Sequence, residues 1–380
     1  MNALNEVDFA KFDVTLVVDE LEGELLPDVP NAVRIVRLQE EYRRIHDFGL
    51  RRSATLSALR KHPLIVTRAL IARLRGQGFS RKKVLTQLWL ARRRERPVDS
   101  SLPVFDVAVA YAGGMGIWNH YILDAVHAHR KICWIHGDYR RIWSGHPYDQ
   151  LILPDFDAVV AVSPSCRDIL LDTTAVPPER VLVRENEVPV SEIVSRAGEA
   201  PYPASDNGLF KFVSMGRLDV GKGYDLALQA AAALRDRGAH FRWYILGEGP
   251  DRSRLERFIA KYGLSEVVRL LGAVPNPYPY LGHCDAFLHP SRGEGKSLSV
   301  EEAKSFCLPI VITAYPTVGD QVADLTTGLV VPISSEGLAE GMERIMKDEV
   351  LRGRFRENLR DHAASGRTAP AFTDVICGEA

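Results

Sequence analysis

The sequence predicts an α/β protein of two doubly wound parallel sheets, and three observations carry that prediction. Short β-branched or apolar runs alternate with amphipathic stretches of helical spacing along most of the chain, as strands buried on both faces between helices require. The scheme occurs twice, on either side of Ser191 to Gly208, a stretch rich in Pro, Ala, Ser, Gly and acids that suits a linker. A length of 380 residues suits two domains at roughly 150 residues each, expected over residues 1–190 and 209–380. Ligands of such sheets bind outside the carboxyl ends of the strands, so the site is expected in a cleft that the two domains face.

In the first half the strand-like runs are Val14 to Val18, Val33 to Leu38, Val104 to Tyr111, Lys131 to Ile135, Ala158 to Val162 and Val181 to Arg184. The second half has Phe210 to Met215, Phe241 to Leu246, Val267 to Leu271, Ala286 to His289, Ile310 to Thr313 and Leu329 to Val331. No tandem repeat of 20 to 50 residues interrupts the scheme.

Composition excludes several classes of protein. With 46% hydrophobic residues and 48 Lys plus Arg against 49 Asp plus Glu, the chain is too apolar and too balanced to be disordered. Cys133, Cys166, Cys284, Cys307 and Cys377 stand singly, with no C-x-x-C pair, which argues against a disulfide framework or a zinc site and for a reducing compartment. The start, Met1 to Phe12, lacks the features of a secretion signal, and no run reaches about 18 apolar residues. The expected location is cytoplasmic.

The balance hides a basic segment, Arg51 to Arg96, with fourteen Lys or Arg and the single acid Glu95. Leu56, Leu59, Leu64, Ile65, Leu70, Ile71, Leu74, Val84, Leu85, Leu88 and Leu90 recur there at helical spacing, which predicts two amphipathic basic helices broken near Gly76 to Ser80. An anionic membrane surface or anionic acceptor is one reading, peripheral on the inner face of the cell membrane, and a solvated helical face is the other. Nucleic acid is not expected, because only Phe79 and Trp89 could stack bases there.

The second half holds the chemistry. Phe212 to Gly223 runs from an apolar strand into a glycine-rich loop with Arg217 and Lys222 five residues apart. Glycines such as Gly216 admit a ligand close to the backbone, and two cations can converge on a diphosphate. The loop is not the magnesium-binding loop of nucleotide hydrolases, since Gly223 stands where a Ser or Thr should follow the lysine. Tyr244 to Pro250 is a second strand entering a turn, with Gly247 and Gly249, but Arg252 breaks the dinucleotide fingerprint. In His289 to Ala303, Glu294 and Glu302 are separated by seven residues. A helix from near Ser299 would put Glu302 in its first turn, flanking free backbone N–H groups that can hold an anion. Glu301 is read as an ordinary first-turn acid.

Together these residues resemble the family 4 glycosyltransferases, retaining enzymes of the two-domain GT-B fold that use nucleotide sugars. The resemblance rests on Gly216-Arg217 with Lys222-Gly223, Gly247 to Pro250, Gly272, and Glu294 with Glu302, and spans about residues 105–345. Trp134 to Tyr139 is similar to the family's histidine-bearing loop, Ala161-Val162-Ser163 to its strand ending in Ser, and Asn186 to the Asn before its linker. Glu294 to Ser297 with Tyr315 to Gln321 resembles the branch that builds capsule, exopolysaccharide and lipopolysaccharide chains.

The resemblance implies that Arg217 and Lys222 hold the donor diphosphate, with Gly216 and Gly249 in the donor loops. Glu302 would hold the ribose hydroxyls and Glu294 the donor sugar hydroxyls. The backbone of Gly295, Lys296, Ser297 and Leu298 would lie along sugar and phosphates, with His136 facing the reacting sugar. It implies a nucleotide-sugar donor, most simply a UDP-sugar, a saccharide or lipid-linked acceptor, and neither cofactor nor metal. Asp155-Phe156-Asp157 mimics an Asp-x-Asp metal motif but precedes a strand and is read as structural.

Family members begin with a strand, a glycine-rich turn and a helix, whereas this chain is expected to start near the end of that helix, Ala3 to Ala10, without the first strand. Past about Arg356 no helix returning to the first domain is expected. Those departures keep a second reading open, a non-catalytic or partner-dependent nucleotide-sugar-binding relative. A nucleotide-sugar epimerase is a third, lacking recognisable catalytic acids in the first half.

Overall fold

A computed structural model describes residues 2–23, 25–46, 52–74, 81–95, 98–112, 116–142, 151–199, 208–364 and 370–378. The chain divides into two compact units, Met1–Arg184 with Pro370–Ala380, and Glu185–Ala369.

In the first unit, β1 (Thr15–Val18) and β2 (Arg34–Arg37) pair in parallel as a two-stranded sheet. Separately, β3 (Phe105–Ala110), β4 (Ala128–Ile135), β5 (Ala158–Ala161) and β6 (Val181–Val183) form a parallel sheet in that order. Strand β5 reads Ala-Val-Val-Ala and is buried throughout, as a strand covered on both faces must be. It feeds the helix Pro164–Thr173, whose start is set by Ser163, with Oγ accepting from the Cys166 N–H at 3.2 Å, and by Pro164 in the first turn.

The basic segment forms helices Arg52–Lys61, Pro63–Leu74 and Arg81–Arg94. The expected break at Gly76 to Ser80 lies outside the described residues, and so does Arg51. Within the described part, the first of the two expected helices is divided at His62, because Pro63 lacks an N–H and disfavours helical backbone in the residue before it. Three of the segment's cations are used internally among the described residues. Arg92 pairs with Glu41 at 2.6 Å and Glu95 at 2.8 Å, Lys61 pairs with Glu41, and Arg93 reaches Asp124 and Asp155. Asp157 accepts the Lys131 N–H at 2.7 Å, so both acids of the Asp-x-Asp sequence serve the packing around β4 and β5.

The chain's last described helix, Phe372–Cys377, belongs to this unit, which corrects the expectation of a terminus without a returning helix. Arg184, only 5% exposed, donates through Nη2 to both oxygens of Glu6 and through Nε to the Pro370 carbonyl at 2.9 Å. Glu6 also accepts the Phe372 N–H at 2.9 Å. The guanidinium lies 5.9 and 6.0 Å from the Trp134 and Phe372 ring centroids, so charge and aromatic contact act at one point.

The described residues of the second unit form six parallel strands, β7 (Phe210–Met215), β8 (Phe241–Leu246), β9 (Val268–Gly272), β10 (Ala286–His289), β11 (Ile310–Thr313) and β12 (Gly328–Val331). Their order is β12-β11-β10-β7-β8-β9. Phe212, Leu228, Trp243, Leu288 and Met342 pack on one face, and Val213, Tyr244, Phe287, Ile310 and Ile312 on the other. The helix Tyr224–Asp236 buries Ala227, Ala230 and Ala231 in this core and packs closely against the helix Ser335–Lys347. The strand order reverses between β7 and β10, so the loops leaving these two neighbours open at a topological switch point, where α/β sheets bind ligands.

Candidate functional site

The loop after β7 turns tightly because Asp219 accepts the Gly221 N–H at 2.8 Å and Gly223 adopts φ +67° before the next helix. A Cβ on Gly223 would also strike the Pro290 carbonyl, so only glycine lets this loop touch the one after β10. The two loops are stapled there. The Arg292 N–H donates to the Gly221 carbonyl at 2.7 Å, its Nη1 donates to the Val220 carbonyl at 2.7 Å, and its two Nη groups reach the Asp225 carboxylate at 2.7 and 2.9 Å. The turn after β8 lies against the same loop, the Leu218 N–H donating to the Glu248 carbonyl at 2.9 Å. At Gly249 a Cβ would meet the Leu218 backbone.

The staple brings Lys222 to Glu294. Lys222 Nζ donates to Glu294 Oε1 at 2.8 Å, Ser291 Oγ donates to the same oxygen at 2.6 Å, and His289 Nε2 stands 3.3 Å away. Burial alone would raise the Glu294 carboxyl, but the neighbouring imidazole and ammonium hold it down at about 2. Burial also lowers the His289 pKa, against the opposing pull of the Glu294 carboxylate. Arg217 is exposed and makes no ion pair among the described residues.

The helix Leu298–Ser305 starts one residue earlier than expected, so Glu301 rather than Glu302 falls in its first turn. Glu302 accepts from the Tyr278 hydroxyl at 3.2 Å, and burial raises its pKa despite Tyr278 and Arg196. Lys296 turns away to pair with Glu185, while the Lys296 carbonyl accepts from Asn186 Nδ2 at 3.4 Å. Gly295 and Ser297 are buried, and Leu298 is exposed. Lys222, Ser291, Glu294 and His289 therefore form one connected cluster, with Glu302 held apart by Tyr278.

His136 lies in the first unit, just past β4. Its Nε2 is 2.7 Å from the Tyr111 carbonyl oxygen, which requires a proton on Nε2 and leaves Nδ1 to act. Burial lowers its pKa, and its ring meets Tyr111 edge-on at 4.7 Å.

No local pattern singles out Ser291, His289 or Arg292, although all three lie in the stretch His289 to Ala303. The signal available was the position of Ser291, three residues before an essential-looking carboxylate and just past the end of an apolar strand.

Residues 201–362 match the family described as Glycosyl transferases group 1. The chain is 27% identical over 230 residues to alpha-D-kanosaminyltransferase of Streptomyces kanamyceticus, covering 58% of this chain and 59% of that protein. It is 30% identical over 170 residues to the putative colanic acid biosynthesis glycosyltransferase WcaL of Salmonella typhimurium, covering 43% and 41%. Such matches span about half the length of these relatives. Among solved structures, Anabaena Alr3699/HepE in complex with UDP and glucose aligns with TM-score 0.67 at 15% identity, covering 96% of this chain and 90% of that one. A glycosyltransferase from Rickettsia africae aligns with TM-score 0.63 at 14% identity, covering 97% and 90%. These structural likenesses show the fold, two Rossmann-like units of the GT-B class.

Proposed function

We propose that the chain, a group 1 glycosyl transferase through its second unit, moves a sugar with retention from a UDP-sugar to a saccharide or lipid-linked acceptor. Cell-surface polysaccharide or lipopolysaccharide synthesis is the setting that its relatives' names suggest. The observation that carries the reading is the Lys222–Glu294 pair fixed by Ser291 at a sheet's switch point, with an exposed Arg217 in the same loop as Lys222.

In this reading Arg217 and Lys222 neutralise the diphosphate, Glu294 and Glu302 accept hydroxyls of sugar and ribose, and Gly295 to Leu298 line the phosphates with backbone. The bond from the anomeric carbon to the β-phosphate oxygen breaks, and its electron pair leaves with the nucleoside diphosphate. The acceptor oxygen bonds to the same face of that carbon, and its proton passes to a phosphate oxygen. Cations already in place stabilise the departing charge without reorganisation, and two of them with a helix N-terminus can do so without a divalent metal. His136 is assigned to the sugar by resemblance, so His136→Ala should lower turnover while leaving UDP affinity unchanged.

A second reading, donor binding without turnover, is favoured by the division of the first unit's strands into two separate sheets. The deciding experiment is a metal-free calorimetric titration with UDP and UDP-sugars, alongside Arg217→Ala and Glu302→Ala. Binding by the intact chain that both substitutions abolish supports the donor site, and acceptor glycosylation then separates the two readings. Binding that survives both substitutions would sink the site.

The basic helices are assigned to an anionic membrane surface on the cytoplasmic side. Leu56, Leu64, Leu70 and Ile71 are exposed on helices that also carry exposed Arg60 and Arg68, an apolar and cationic combination that suits an anionic interface.

A further inference from the structure

Between β11 and β12 the chain makes a turn, Val318–Asp320, that delivers Gln321 into the interior, where it is 4% exposed. Its side-chain amide uses its whole hydrogen-bonding capacity. Oε1 accepts from the Ser297 N–H at 2.8 Å and from the Tyr315 hydroxyl at 3.4 Å. Nε2 donates to the Ser297 carbonyl at 2.9 Å and to Glu301 Oε1 at 2.8 Å. Both backbone groups of one residue are thus gripped by a single planar side chain.

We infer that Gln321 is a positioning residue, clamping the backbone between Glu294 and the helix Leu298–Ser305 in the conformation that receives the donor diphosphate. This rests on the donor-site reading above. Ser297 occupies the N-cap of that helix, yet its side chain makes no capping bond and turns to Ser299 Oγ at 3.1 Å. The entry geometry that a cap ordinarily fixes is set instead by Gln321 from another element. The other end of the loop is held from the same segment, Thr317 Oγ1 donating to the Glu294 carbonyl at 2.9 Å. Thr317 and Gln321 therefore bracket the stretch from Glu294 to Ser297. Glu301 is also tied to Lys304 at 3.0 Å, so its carboxylate serves the clamp and leaves the ligand to Glu302.

Gln321→Glu is the discriminating variant because it keeps the shape and makes the donor titratable. Ionised, it accepts from Ser297 but donates nothing and faces the Glu301 carboxylate. Protonated, it regains one donor. The charged or titratable groups around it are Glu301, Tyr315 and, beyond Glu301, Lys304; Asp320 precedes it in the chain.

At pH 8 the variant should bind UDP about tenfold more weakly than the unsubstituted chain, and the Ser297 amide should exchange about tenfold faster relative to its intrinsic rate. Both losses should shrink on lowering the pH to about 5.5, where a buried carboxyl beside another carboxylate regains its proton. Gln321→Met should show the losses without recovery. Thr317→Val provides a second release of the loop should Gln321→Glu fail to fold. Normal exchange and affinity in Gln321→Glu at pH 8, or a loss as indifferent to pH as that of Gln321→Met, would overturn the inference. A protein that binds no UDP at all would remove the donor reading, and exchange at Ser297 then decides the clamp by itself.

Discussion

Lys222 and Glu294, separated by 72 positions in sequence, meet in a 2.8 Å ion pair that joins the loop after β7 to the loop after β10. An anion arriving at Lys222 therefore meets a lysine already neutralised in part, and binding must share or loosen that pair. The cluster is expected to resist desolvation until a donor supplies both the phosphate charge and the sugar hydroxyls.

The pair leaves a signature in acid. The Glu294 carboxyl is held at about 2 against an ordinary 4.5, so its contribution to stability is complete above about pH 4.5 and disappears as pH falls toward 2. Urea unfolding should show Glu294→Gln less stable than the unsubstituted chain by on the order of 2–3 kcal/mol at pH 7. The gap should close near pH 2.

Glu302 should behave in the opposite way. Its pKa is raised by burial, so its ionisation opposes folding at neutral pH and ceases to do so once the pH is below the ordinary carboxyl range. Glu302→Gln is expected to melt at a higher temperature at pH 7, with the advantage lost below about pH 4.5. The amide still accepts from Tyr278, but a ribose hydroxyl loses a charged acceptor, and UDP affinity should fall about tenfold.

Arg184→Ala should release the C-terminal helix. Removing the guanidinium takes from Glu6 its ion-pair partner and leaves the Pro370 carbonyl without its donor, a loss of about 1–3 kcal/mol. Limited proteolysis should then cut near Phe372 far faster than in the unsubstituted chain, with the helix Tyr224–Asp236 unaffected.

Membrane docking is tested by Leu64→Ser with Ile71→Ser and, separately, by Arg60→Gln with Arg68→Gln. Leu64 is 77% exposed, so these changes should not disturb the core. Binding to vesicles containing anionic lipid should weaken in both, the arginine loss being masked at high salt, at about 1 kcal/mol for each cation near the surface. Equal binding by all variants would remove the membrane assignment.

Most strands of the second unit were legible in sequence because they are largely apolar runs, buried over most of their length. Phe210–Met215, Phe241–Leu246, Ala286–His289 and Ile310–Thr313 stand where their composition puts them. Strand β4 starts three residues before the expected Lys131, since Ala128 and Arg130 pair with β3 while only partly covered and the exposed His129 between them interrupts the apolar signal. The site was half legible. Lys222 and Glu294 declare themselves as charges next to glycines and Glu302 by its spacing from Glu294, but nothing local ties Asp225 to Arg292 or Gln321 to Ser297. Such contacts link polar residues that look like surface until the strand order folds their loops together. In the basic segment, read as either an anionic-surface contact or a solvated face, Arg92 and Arg93 are spent on Glu41, Asp124 and Asp155, partners that lie far off in sequence.

The first unit is discontinuous, since residues 185–369 are placed between its main body and the helix Phe372–Cys377. On the ribosome this imposes an order of events. The described strands of the second unit emerge before Phe372 can reach Glu6 and Arg184, so the inserted unit can finish folding while its host still waits for that helix. Until then the Trp134 and Arg184 surface that Phe372 covers is open, and that interval is when a nascent chain would have most need of a chaperone.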